Sequence, residues 1–388
     1  MCITFVFYLF ANATFVIPKF SSPENCKGCH VEQYKDWSTS LHSQSHEDKN
    51  ELYKESVSYI SRSLHKPYEQ ILVECGKCHN PRLDIKDTSQ DYMLAKAFNV
   101  TTDESINNDN ALKAKHIQNG ISCYICHNAD SISKKNNNSG YEQFNWVGND
   151  TIVGPFGDSK RGIGFHKLEH RNFFRVTNDL CLVCHEGNSK ESKLTNYETG
   201  SEMADKQLCT NCHMKPFKEE KISPGLEPEL AKMRTIKSHF FAGIRNTEIG
   251  TDGINVNFDF DTKVLKIKNL TPHKIPTGFS GRKIVVNVRN YNSSNEEILP
   301  LQSYEAFVSY VDKEGLQSLS YNAVSLKSDT RIKPFEEKEL PINVVSETHK
   351  IEIEVLYYII DPNLLVSIPV KDEKFTKPYE IVKKVFTR

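Results

Sequence analysis

The sequence predicts a multidomain α+β chain: a mostly helical and irregular N-terminal domain followed by an antiparallel β-sandwich of the Ig-like type. Three observations predict it. Five Cys-x-x-Cys-His motifs crowd into residues 26–213, and no cysteine follows Cys212. Around the first motif, Val31, Tyr34, Trp37 or Ser38, and Leu41 recur at helical spacing. After about Gly243 the apolar period drops to two, which suits a half-buried strand and not a helix. The expected boundaries are 20–245 for the motif-bearing domain and 246–388 for the β domain, preceded by a signal peptide over 1–13.

The chain has 388 residues, enough for two or three domains. A net charge of -1 points neither to nucleic acid nor to a general membrane-surface role. With a mean hydropathy of -0.52, no internal run approaches the eighteen or so apolar residues a membrane span needs. At the N-terminus, Ile3 to Phe10 is an apolar core, and Ala11-Asn12-Ala13 reads as a signal-peptidase site. No Lys or Arg precedes Lys19, so an uncleaved anchor from Met1 to Ile17 is the alternative. Either way Cys2 lies inside this segment, and the other ten cysteines are all paired.

Those pairs are Cys26 and Cys29 with His30, Cys75 and Cys78 with His79, Cys123 and Cys126 with His127, Cys181 and Cys184 with His185, and Cys209 and Cys212 with His213. This is the attachment signature of haem c. Two thiols three positions apart reach the two vinyl groups on one porphyrin edge, and the adjacent His turns under the ring to the iron. Zinc would use such pairs two at a time, leaving one over, and gives no reason for a His after every second Cys. Disulfide geometry requires no His either. The reading is therefore a pentahaem cytochrome c domain. Successive motifs start 49, 48, 58 and 28 residues apart, so porphyrin supplies much of the core, and the short last interval puts the sites at Cys181 and Cys209 close together. The unequal intervals exclude a structural repeat. Asp103 to Asn110 and Lys134 to Gly140 read as solvated loops.

In the β domain, Ile254, Val256, Phe258 and Phe260 alternate with polar residues, as do Ile284, Val286 and Val288, then Leu340, Ile342 and Val344, then Ile351, Ile353, Val355 and Tyr357. Turns rich in Asn, Gly, Asp and Pro separate them, as in an antiparallel sandwich.

Function turns on the sixth iron position. Histidine on both faces gives a low-spin, coordinatively full iron suited to electron transfer at low potential; a Met there raises the potential. Nine histidines lie outside the motifs, against four Met candidates: Met93, Met203, Met214 and Met233. Met214 follows His213 directly and does not easily reach the opposite face. No motif histidine is replaced, which favours electron transfer over catalysis.

The chain resembles the multihaem cytochromes of the cytochrome c-552/4 family. The first motif followed by Trp37, Ser40 and His42 is similar to the family's opening segment, and Gly120-Ile-Ser-Cys123 to its lead into a further haem. Gly154-Pro-Phe156, His166, Cys212-His-Met-Lys-Pro216, and Arg234 to Gly243 with His239-Phe240 follow the family's order. His273-Lys-Ile-Pro276-Thr-Gly278 and Asp329-Thr-Arg-Ile332 resemble markers of a β domain found in some members. The resemblance implies periplasmic electron transfer and favours His42, His166 and His239 as distal ligands. His42 is expected at the end of the helix after the first motif; with His46 four positions on along the same face the pair also suggests zinc, the blander reading being one ligand and one solvated His, and His166 is preferred over His170. His116 stands just before the third motif. With these four assigned one haem lacks a partner, and His273, in a loop stiffened by Pro272 and Pro276, is the best remaining candidate against a solvated turn residue. His65 and His349 read as surface residues. The expected partners are redox protein donors and acceptors, a membrane quinol-linked complex among them, with no nucleic acid and with self-association open. The alternatives are an oxidoreductase with one open iron, acting on a small nitrogen or sulfur compound, and a docking role for the β domain.

Overall fold

The computed structural model describes residues 20–83, 85, 88–133, 143–148, 150–157, 165–188, 194–223, 232–245 and 247–388. The expected leader, the alternative anchor and the polar stretch from Lys134 to Gly140 lie outside these residues. Among the described residues no helix is long and apolar enough to cross a membrane.

The N-terminal part runs through α1 (Glu24–Lys27), α2 (Val31–Thr39), α3 (Glu51–Leu64), α4 (Tyr68–His79), α5 (Gln90–Ala97), α6 (Asp103–Leu112), α7 (Cys123–His127), α8 (Phe173–Val176), α9 (Asp179–His185) and α10 (Thr210–His213). Helix α3 is the best formed. Asn50 caps it by accepting from the Tyr53 N–H, His65 ends it in the left-handed region at φ 55°, and it buries Leu52, Val57 and Ile60. Two expectations fail here. Residues 103–110 are not a loop but most of α6, because Thr102 and Ser105 form a reciprocal capping box that satisfies orphan N–H groups at its start. Helix α2 ends at Thr39, so His42 lies in the turn beyond it rather than on its last turn.

Short strands that the sequence did not announce thread this part: β1 (Ala129–Ile132) with β2 (Phe144–Trp146), β3 (Thr151–Gly154) parallel to β4 (Lys167–His170), β5 (Glu186–Asn188) with β6 (Thr195–Glu198), and β7 (Phe217–Lys221) with β8 (Met233–Lys237). Strands β1, β5 and β7 begin within a few residues of a motif histidine and turn the chain back toward it.

The C-terminal part is antiparallel, as the period of two predicts. One sheet has the order β15 (Glu337–Pro341), β10 (Val264–Asn269), β9 (Ile254–Asp259). The other runs β13 (Gln317–Ser318), β12 (Gln302–Val311), β11 (Lys283–Tyr291), β16 (Lys350–Tyr358), β17 (Tyr379–Thr387), with β14 (Ser325–Asp329) also on β12. Register aligns the apolar positions: Val256 faces Ile267 across β9 and β10, and Val286 faces Val355 across β11 and β16. Strand β15 stops at Pro341, short of Ile342 and Val344. Val256, Leu265, Ile267, Val286, Ile351, Ile353 and Val355 are wholly buried in one cluster between the sheets. Each contributes roughly 1.5–3 kcal/mol relative to an exposed side chain. The cluster does not stop at residue 246. It continues into α3 and α4 through Leu52, Val57, Ile71 and Leu72. Asn322 donates to Ser63 Oγ at 2.7 Å, and the Asp372 N–H to Glu51 Oε2 at 2.6 Å, across the same junction.

Candidate haem-binding sites

Each Cys-x-x-Cys pair lies on or beside a helical turn, where positions three apart share a face. The second to fifth motifs close α4, α7, α9 and α10, while the first bridges α1 and α2. In the first and fifth, the histidine N–H donates back to the first cysteine's carbonyl at 2.9 Å. The ten described cysteines are free of disulfides.

The structure brings three motif histidines against histidines from distant sequence. Ring centres are 6.3 Å apart for His185 and His42, 6.3 Å for His127 and His239, and 6.4 Å for His213 and His273. The last two pairs are near parallel, at 23° and 22°. Two imidazoles bound to one metal by nitrogen bonds of about 2 Å have centres about 6 Å apart. His273 is half-buried and faces the motif histidine His213 of the N-terminal part, rather than standing free in a turn.

Hydrogen bonds at the other ring nitrogen agree. Nδ1 bonds to a backbone carbonyl in His30 (Ile222, 3.2 Å), His127 (Val153, 2.8 Å), His213 (Ala242, 2.7 Å), His239 (Lys237, 3.0 Å) and His273 (Lys274, 2.9 Å). In His79 it bonds to the Ser45 hydroxyl at 2.9 Å. A carbonyl accepts only from N–H, so the Nε2 lone pair of these rings points outward, as metal-binding histidines require. His46 is the opposite. Its Nδ1 accepts from the Asp48 N–H at 3.2 Å, and it is buried rather than solvated as expected.

Protonation states follow from burial. Burial first, then the neighbouring His185 and His79, pushes His42 down to about 3. Burial likewise brings His79, His127 and His185 to about 4, reinforced by His185 for His79, by His239 for His127, and by His213 and Arg282 for His185. All four are neutral near pH 7, the form that binds iron.

His166 packs edge-on against Phe20 at 5.7 Å, and its Nδ1 bonds to the Lys167 carbonyl at 3.2 Å. His116 precedes a 3-10 turn and lines a cavity with Asn80, Arg82 and Tyr124. Tyr53 stacks on His79 at 4.2 Å and 12°. His170, His65 and His349 are exposed.

The motifs also touch one another. The Cys184 thiol donates to the Cys78 carbonyl at 3.7 Å, and the side chains of Cys26 and Cys123, and of Cys181 and Cys209, adjoin each other. The fourth motif therefore adjoins the second and the fifth, as the short last interval predicts for Cys209. Sequence reasoning missed Asp36, whose carboxylate accepts from Ser238 Oγ at 2.7 Å and from the His239 N–H at 3.1 Å. It also missed Ser45 and Tyr53 against His79. None carries a local signal, since each acts on a residue far along the chain. Paired thiols, outward Nε2 atoms and opposed imidazoles form a donor set that fits haem c.

The family model described as cytochrome c554 and c-prime matches residues 25–103. No curated protein sequence matches this chain. Its fold is similar to the crystal structure of a penta-heme cytochrome c552 from Thermochromatium tepidum, with a TM-score of 0.71 and 18% identity over 95% of this chain and 98% of that one. The family match takes in the first two motifs and the structural likeness shows the fold; with the five motifs, the chain is similar to multihaem cytochromes c of the c554/552 type.

Proposed function

We propose that this multihaem cytochrome carries five haems and moves electrons in the periplasm for a respiratory chain, between redox protein donors and acceptors. The observation that carries the reading is the set of three histidine pairs at 6.3 to 6.4 Å, each joining a motif histidine to one outside the motifs. His30, His79, His127, His185 and His213 are the proximal ligands. His42 is distal to His185, His239 to His127 and His273 to His213, while His166 and His116 serve His30 and His79. Bound haem c supplies a one-electron iron centre. The chain's own residues fix its surroundings: backbone carbonyls orient the imidazoles of His30, His127, His213, His239 and His273, and desolvation disfavours the charged form of His42, His79, His127 and His185. The contacts of Cys184 with Cys78 and of Cys181 with Cys209 support a branch at the fourth motif. The two packed C-terminal sheets form an Ig-like sandwich that presents His273.

Intact mass of the matured protein tests the count, with five haem increments expected and four or fewer defeating it. A second reading, an oxidoreductase with one open iron, is favoured at the second motif alone, where the ring stacked on His79 is Tyr53. Low-temperature EPR separates the two. An all-low-spin spectrum supports electron transfer; one high-spin haem whose reduced form nitrite or hydroxylamine oxidises rapidly supports the enzyme.

A further inference from the structure

We propose that Arg331 and Glu202 form a clamp between the two domains that positions His273 against His213. This rests on the reading of His273 as a distal ligand. Arg331 is on the β domain and Glu202 on the segment leading into the fifth motif. Their side chains are only 7% and 3% exposed, and Arg331 Nη1 donates to Glu202 Oε1 at 2.6 Å. The same arginine makes a two-pronged contact with Asp329, Nε to Oδ1 at 2.9 Å and Nη2 to Oδ2 at 2.8 Å. Asp329 in turn accepts from Lys274 at 3.1 Å, the residue next to His273.

The other oxygen of Glu202 grips the far side of the loop. It accepts from the Thr277 hydroxyl at 2.6 Å, and the Ala204 N–H donates to the Pro272 carbonyl at 2.8 Å. Residues 202–204 therefore hold the loop at Pro272 and Thr277, on both sides of His273, while Arg331 holds it through Asp329 and Lys274. Within the loop, Asn269 and Thr271 both donate to the His273 carbonyl at 2.8 Å. The backbone of Ile275 exchanges both bonds with Ile332, beside Arg331.

A buried ion pair contributes little net stability, because desolvating both charges offsets their attraction. Its best-attested use is fixing register, and here the register fixed is that of a ligand loop against the domain whose iron it meets. A distal histidine from another domain needs such a device. An ångström of slip would break its bond, and these contacts, with Thr199 Oγ1 against Thr277 Oγ1 at 3.3 Å, tie its short loop to the N-terminal part.

The test uses the mature holoprotein in four variants: His273→Ala, Glu202→Gln, Arg331→Gln and Arg331→Lys. Haem content by mass checks that each has matured. His273→Ala is expected to turn one haem of five high-spin, and an unchanged spectrum overturns the ligand reading and the clamp with it. Glu202→Gln, which keeps the shape and removes the charge, and Arg331→Gln are expected to give the same high-spin signal at a fraction of one haem, and to shift the potential of that haem alone. Arg331→Lys, which keeps the charge but not the planar fork, is expected to restore part of the low-spin signal that Arg331→Gln loses. If Glu202→Gln and Arg331→Gln keep the full low-spin spectrum and potentials while His273→Ala converts one haem, the clamp is refuted and the ligand reading stands. If Arg331→Gln fails to mature, Glu202→Gln and Arg331→Lys decide the question.

Discussion

His42 and His46 are four residues apart, the first half-buried and the second buried, and offer the same side chain, yet their surroundings assign them differently. His42 faces His185 at 6.3 Å and is held neutral, whereas His46 uses Nδ1 to accept from the Asp48 N–H. In neutral His46 the proton must sit on Nε2, the nitrogen a ligand needs bare. His239 has the reverse arrangement, with Nδ1 donating to the Lys237 carbonyl. Replacing His239 with Ala is therefore expected to turn one haem high-spin. His46→Ala should leave every haem low-spin while costing about 1–2 kcal/mol in stability from the lost hydrogen bond and packing. EPR and chemical denaturation of the two variants check both expectations. A high-spin signal in His46→Ala would reassign the ligand.

At the scale of elements, the turn carrying His42 is fitted to the third motif through one glycine. Gly120 has φ 60°, a Cβ there would lie 2.5 Å from the His42 carbonyl oxygen and 2.8 Å from Ser45 N, and the adjacent Ile121 N–H donates to that same carbonyl at 2.9 Å. Gly120→Ala is expected to destabilise the protein by at least about 2 kcal/mol, from backbone strain plus the clash. It should also raise high-spin character at the site of His185, because His42 is pushed away; thermal unfolding and EPR read the two effects. The sequence pattern showed the glycine but not its cause, and that division recurs. The β9, β11 and β16 strands were legible because alternation is local and reports one buried face. Helix α6 was not, since composition in Asp103–Asn110 outweighed the Thr102–Ser105 box. The short strands after the motifs were not, because three to five residues carry too little period to read. The attachment cysteines and histidines follow from adjacency in the chain. The pairing of His127 with His239, 112 positions apart, is set only by tertiary packing.

Across the whole molecule, the two parts meet at two junctions of different chemistry. One is apolar and close to the core: α3 packs on the β region, and Asn322, 6% exposed, donates to Ser63. The other is the ionic contact of Arg331 with Glu202. The β region nevertheless owns its centre. Val256, Leu265, Ile267, Val286, Ile351, Ile353 and Val355 are wholly buried and come from both β sheets, while the cluster they belong to reaches Cys75 of the second motif only at its edge, through a partly buried side chain. A fragment of residues 246–388 is therefore expected to fold alone as a colourless protein with β-type circular dichroism. It should unfold below the temperature of the full chain, because it exposes the face that α3 covers and leaves Arg331 without Glu202. A loss of about 1–2 kcal/mol from those contacts corresponds to several degrees in Tm for a domain of this size. Limited proteolysis of the holoprotein near residue 245 should release the same fragment slowly, since both junctions must open. An isolated fragment without a cooperative transition would mean that the core shared with α3 and α4 is one folding unit, and that the ligand loop is held by the entire chain rather than by a preformed β domain.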